Sequence, residues 1–132
     1  MSERPLILAA DDDPDILALI RLALERAGCE VVTAADGQAA IDLAAERVPT
    51  MAVLDLSMPR ADGLEVCAHL RADPRTAGIP IVILSAAVQA SDIEASHQAG
   101  ATAHIKKPFS PRDLRERVTE LLDGAPSSPA DG

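Results

Sequence analysis

Residues 6–28 read "LILAADDDPDILALIRLALERAG": an apolar run, three consecutive aspartates, a proline, then apolar residues at helical spacing. The run Leu6-Ile7-Leu8-Ala9-Ala10 is short and uninterrupted, as expected of a strand buried on both faces of a parallel sheet. Beyond it, Ile16, Leu17, Ile20, Leu24 and Ala27 mark one helical face, with Pro14 at a favoured first position and Gly28 at a favoured stop. A strand therefore enters a helix through an acidic turn. Asp13, immediately before Pro14, reads as the helix N-cap, its carboxylate accepting hydrogen bonds from the first N–H groups. Asp11 and Asp12 have no such local explanation.

The same unit recurs. "LILAA", "CEVVTA", "MAVLDL", "IPIVILS" and "ATAHIKK" each precede a segment of helical spacing, which makes five βα units. Helix starts carry caps: Asp36 before "GQAAIDLAAERV", Asp62 with Glu65 around "GLEVCAHLRAD", and Ser110 with Pro111 before "PRDLRERVTELL". The fourth helix, "ASDIEASHQAG", is the least apolar; Ile93 is its only large aliphatic residue, so shallow packing and loose anchoring are expected. The alternation predicts a single doubly wound α/β domain, (βα)5, with a five-stranded parallel sheet covered on both faces.

A chain of 132 residues suits one domain with one core. With 21 acidic against 12 basic residues, a net charge of −9 disfavours nucleic acid and anionic membrane and favours proteins and metal ions as partners. Cys29 and Cys67 lack metal-ligand spacing and read as reduced packing residues. No apolar run approaches the ~20 residues of a membrane span, and the start "MSERPLILAA" is too short for a secretory signal. The expectation is a soluble, cytoplasmic protein, with residues 5–123 as the domain and "GAPSSPADG", 124–132, as a flexible tail or the start of a linker.

Doubly wound sheets bind ligands outside the carboxyl ends of their strands. That rule gathers Asp11, Asp12, Asp55, Ser85 and Lys107. Two carboxylates ~4 Å apart at an effective dielectric of ~20 repel by about 4 kcal/mol, so converging acids call for a cation. Hard oxygen donors favour Mg²⁺ or Mn²⁺ over Zn²⁺, and Mg²⁺ typically adds a phosphate to its carboxylates and waters. Lys107 can pair with a carboxylate and then with a phosphoryl oxygen, and the Ser85 hydroxyl can donate a further hydrogen bond. A carboxylate can itself be the nucleophile, forming an aspartyl phosphate.

"ILAADDDPDI", "VLDLSMPRADG", "IPIVILSA" and "HIKKPF" resemble, in order, the four motifs of the receiver domain of bacterial two-component response regulators, chemotaxis-receiver-like, over about Leu6 to Leu122. The resemblance implies a flavodoxin-like sheet of order 2-1-3-4-5. It implies Asp55 as phosphoacceptor, supplied by a sensor histidine kinase or phosphotransfer protein in a Mg²⁺-dependent reaction. The chain would catalyse its own phosphorylation and dephosphorylation there with Lys107, and would be a signalling module, not a turnover enzyme. Asp12 and Asp55 become direct metal ligands, Asp11 a ligand through water, and the Ser57 carbonyl a third direct ligand. Lys107 matches the family lysine, preceding a cis bond to Pro108, and Ser85 the switch hydroxyl. The signal would pass to a downstream protein or output domain through the fourth helix, fifth strand and fifth helix.

Other residues have plainer readings. Asp13, Asp36 and Asp62 are caps, Lys106 is a solvated charge pointing away from Lys107, and His69 and His97 are ordinary surface or half-buried histidines. Where the family carries Tyr or Phe as switch residue, this chain has His104, whose polar ring is costlier to bury and would make switching pH-dependent; the competing reading is a strand residue with no switching role. Ser57 and Ala87, two residues after Asp55 and Ser85, are small and supply no general base. Thr102 and Ala103 replace an acidic pair that serves a dimer face in winged-helix relatives, while Arg117 matches that face, leaving dimerisation open. A Mg²⁺-dependent aspartyl-phosphate phosphohydrolase would share the site, but "LSMP" lacks its second acid. A mononucleotide binder would need more aromatic residues than Phe109.

Overall fold

The opening stretch forms the expected step in the computed structural model, which describes residues 4–86 and 90–123. β1 (Leu6–Ala10) runs through the acidic turn into α1 (Pro14–Arg26), where the Asp13 side chain accepts from the Asp15 N–H. Then come β2 (Glu30–Ala34), α2 (Gly37–Glu46), β3 (Met51–Asp55), α3 (Gly63–Ala72), β4 (Ile81–Ser85), α4 (Ala90–Gln98), β5 (Ala103–Lys106) and α5 (Pro111–Leu122). The strands are parallel in the order β2-β1-β3-β4-β5, as implied, and Asp36, Asp62 and Ser110 each accept a backbone N–H as caps.

The apolar runs are continuous because both faces of the sheet are covered. Ile7, Ala9, Val53 and Leu84 face α1 and α5, packing on Ile20, Leu24, Leu114 and Val118. Leu8, Ala10, Leu54 and Ile83 face the other way, onto Ala40, Val66, Cys67 and Leu70 of α2 and α3. Both cysteines are free and buried, and burial pushes their thiol pKa values up. Among the described residues no helix is long and apolar enough to cross a membrane.

Three local expectations need correction. Ala27 is exposed and caps α1; the Cys29 N–H bonds back to Leu24, so Cys29 belongs to the helix end and β2 starts one residue later. Ala23 joins the core in Ala27's place. Among the described side chains of α4 the buried one is Ser96, while Ile93 is half-buried, and side chains of α3 bond to the Ala99 and Gly100 carbonyls just after the helix. The 124–132 tail and Ala87 lie outside the described residues.

Candidate functional site

Parallel register brings the strand ends to one edge. Asp55 ends β3 and Ser85 ends β4; Asp11 directly follows β1 and Lys107 directly follows β5. The Lys107 ammonium lies 2.8 Å from Asp11 Oδ2 and 3.1 Å from Asp55 Oδ1. Asp11 is fully buried, and its Oδ1 accepts the Asp13 N–H at 2.9 Å, so both of its oxygens hold protein donors. Asp12 is exposed to the cleft. One carboxylate oxygen from each of Asp11, Asp12 and Asp55 lies within 4.8 Å of the others. A cleft of ≈ 430 Å³ opens above them, lined by Asp12, Asp55, Leu56, Ser57, Ser85, Ala86 and Lys107.

Its electrostatics are unbalanced. Burial raises the Asp55 pKa; the hydrogen bond from Lys107 opposes this and repulsion from Asp11 adds to it, leaving the carboxyl above its usual range. Burial would lower the Lys107 pKa, but its bonds to Asp11 and Asp55 outweigh that and the ammonium is held charged. One lysine thus serves two buried carboxylates with a third beside them. The arrangement has room for a further positive charge, and its donors are all hard oxygens.

The expected residues Asp11, Asp12, Asp55, Ser57, Ser85 and Lys107 are all brought to this edge. His104 is not part of the cleft lining. It sits in β5 opposite Ile83, half-buried, on the sheet face opposite that of Ala103 and Ile105, which pack toward α1 and α5. Lys106, His69 and His97 are exposed, as expected.

Gly63 is a site residue that spacing did not single out. A Cβ there would lie 2.4 Å from the Asp55 carbonyl oxygen, so only glycine lets the start of α3 close on the end of β3. Its N–H donates to the Leu56 carbonyl at 2.9 Å, and the Asp62–Glu65 capping box fixes the same turn. The signal was the "DG" pair after Pro59, read only as a cap. Within this loop Arg60 takes a φ of 74°, in the left-handed region. The Lys107–Pro108 bond is cis.

A family model described as the response regulator receiver domain matches residues 7–119. The chain belongs to this family. The receiver is 42% identical over 118 residues to the DNA-binding dual master transcriptional regulator RpaA of Synechocystis, covering 89% of this chain and 49% of that protein. It is 39% identical over 126 residues to the alkaline phosphatase synthesis transcriptional regulatory protein PhoP of Bacillus subtilis, covering 92% and 52%. The chain thus spans about half the length of these curated relatives. Among solved structures, chemotaxis protein CheY4 of Vibrio cholerae superposes with a TM-score of 0.86 at 28% identity, over 90% of this chain and 99% of that one. The receiver domain of sensor histidine kinase PA1611 of Pseudomonas aeruginosa, with magnesium coordinated in its active site cleft, gives 0.83 at 26% identity, over 92% and 99%.

Proposed function

We propose that this receiver accepts a phosphoryl group on Asp55 from a sensor histidine kinase or phosphotransfer protein. The observation that carries this reading is the shared lysine, whose ammonium lies 2.8 Å from Asp11 and 3.1 Å from Asp55 at the floor of an open cleft. An Asp55 oxygen attacks phosphorus in line with the departing imidazole nitrogen of the donor. Lys107 and the Ser85 hydroxyl then neutralise and hold phosphoryl oxygens. Buried walls at Asp11, Asp55 and Ser85 keep these groups oriented, so positioning and charge supply most of the catalysis. The same residues serve the later hydrolysis, in which water attacks phosphorus and the Asp55 carboxylate departs, and Ser57 provides space there without a general base.

The donor set fits Mg²⁺, with Mn²⁺ as substitute. Asp12, Asp55 and the Ser57 carbonyl would hold it directly, and Asp11, whose oxygens are already engaged, would act through water. Bound there, the cation supplies the neutralisation of phosphoryl oxygens that one lysine cannot. The output surface is the α4-β5-α5 face, with His104 as the switch position, acting on a partner protein or an output domain. A net charge of −9 opposes direct binding of nucleic acid by this chain.

Intact-mass spectrometry after incubation with acetyl phosphate tests the proposal. A Mg²⁺-dependent gain of one phosphoryl group, absent in Asp55→Asn, is expected. An unchanged mass together with no release of inorganic phosphate would refute it.

A further inference from the structure

The carboxyl end of α4 is held by side chains of α3 one helical turn apart. Cys67 Sγ donates to the Ala99 carbonyl at 3.3 Å, and Arg71 Nε donates to the Gly100 carbonyl at 2.9 Å. The remaining Arg71 nitrogens reach the Ala77 carbonyl at 2.9 Å, the Ile79 carbonyl at 2.6 Å and the Thr102 hydroxyl at 3.3 Å. Thr102 in turn accepts the Ile81 N–H at 3.0 Å through its hydroxyl and donates its own N–H to the Ile81 carbonyl at 2.7 Å. One guanidinium therefore ties the end of α3, the approach to β4, the end of α4 and the start of β5 together.

The helix end itself is built to accept this tie. Gly100 has a φ of 106°, and the N–H groups of Gly100 and Ala101 return to the carbonyls of His97 and Ser96, closing the last turn. A Cβ on Gly100 would meet Arg71 Cγ at 2.8 Å, so the arginine stem lies directly against the glycine. By contrast, the described side chains of α4 that are not exposed are the half-buried Ile93 and Ala95 and the small buried Ser96. Its amino end, at Ala90, lies a few residues beyond Ser85 and Ala86 in the cleft lining. The helix is thus pinned at the end far from the site and connected to the site at the other.

We infer that Arg71 is the fulcrum of α4, a positioning residue that holds the carboxyl end of the helix still so that a change at the cleft swings its amino end. The inference rests on the phosphoacceptor reading of Asp55. Arginine suits the task because its fork spans several carbonyls at once, which a lysine ammonium cannot do.

Amide hydrogen exchange tests this on the parent, Arg71→Ala and Arg71→Lys, each with and without Mg²⁺ and beryllofluoride as a phosphoryl mimic. In the parent, the mimic is expected to change exchange over residues 90–98 while 99–102 stay protected. In Arg71→Ala, the Gly100, Ala101 and Thr102 amides should exchange faster by about tenfold or more before any addition. The mimic's effect over 90–98 should then shrink or spread through 99–102. Protection in β1 and β3 serves as the folding control; if Arg71→Ala loses it, Arg71→Lys is read instead, with a smaller loss confined to 100–102. Unchanged protection at 100–102 overturns the fulcrum, and so does a loosened end with the parent's response intact over 90–98. A parent that neither responds to the mimic nor gains a phosphoryl group overturns the phosphoacceptor reading, and the fulcrum with it.

Discussion

At the scale of single residues, the cleft places charge where folding alone would not. The raised Asp55 pKa means that the folded state binds this proton more tightly than the unfolded chain does. Its contribution to stability is therefore fully present at low pH and is lost as pH rises through the raised folded value; at neutral pH, without metal, the carboxylate is a liability. Asp55→Asn should therefore raise the Tm of the metal-free protein at pH 7, measured by calorimetry in a chelating buffer. A fall in Tm would show that the pairing with Lys107 outweighs the cost of burial and the repulsion from Asp11. Arg60 is a second local cost. Its ion pair with Asp36 is long, at 3.7 Å, and its side chain is 71% exposed, so the pair contributes little. Left-handed backbone costs an L-residue about 1–2 kcal/mol, and glycine costs about 0.5–1 kcal/mol in chain entropy. Arg60→Gly should therefore gain about 0.5 kcal/mol in urea unfolding, whereas Arg60→Ala, which keeps the Cβ, should gain nothing.

At the scale of elements, helix ends do the positioning. The reciprocal bonds of the α3 capping box, 2.9 Å each between Asp62 and Glu65, hold the turn that carries Gly63 against Asp55. Asp62→Ala should cost about 1 kcal/mol in urea unfolding and slow acetyl phosphate labelling of Asp55; a variant equally unstable but labelled at the parent's rate would limit the cap to a folding role. α4 has the weak apolar face that its composition implies, while the turn just after its carboxyl end is tied down. Helical spacing counts only the residues that a helix buries for itself. It does not register carbonyls tied down by Cys67 and Arg71 from another helix.

At the scale of the whole molecule, a cation bound by the cleft acids would couple to folding. Three acids held within 4.8 Å before a cation arrives should make Mg²⁺ a stabiliser. At a hundred times its dissociation constant it should add about 2.7 kcal/mol, seen as a rise in Tm that is lost in Asp12→Ala. An equal rise in Asp12→Ala would place the cation elsewhere. The sequence by itself determined the order of elements, the caps and the edge where the site lies. Those follow from local rules: apolar runs where both sheet faces are covered, cap residues beside the turns they close, and parallel strands that send their ends the same way. Tertiary structure alone decided the rest. Lys107 divides its charge between Asp11 and Asp55, Asp11 has both oxygens engaged, Gly63 permits the approach to Asp55, and Arg71 fastens α4. Lys107 meets Asp11 across 96 positions of chain and Arg71 meets Gly100 across 29. At such separations neither spacing nor propensity carries information about contact; only the packed sheet and its helices set those distances.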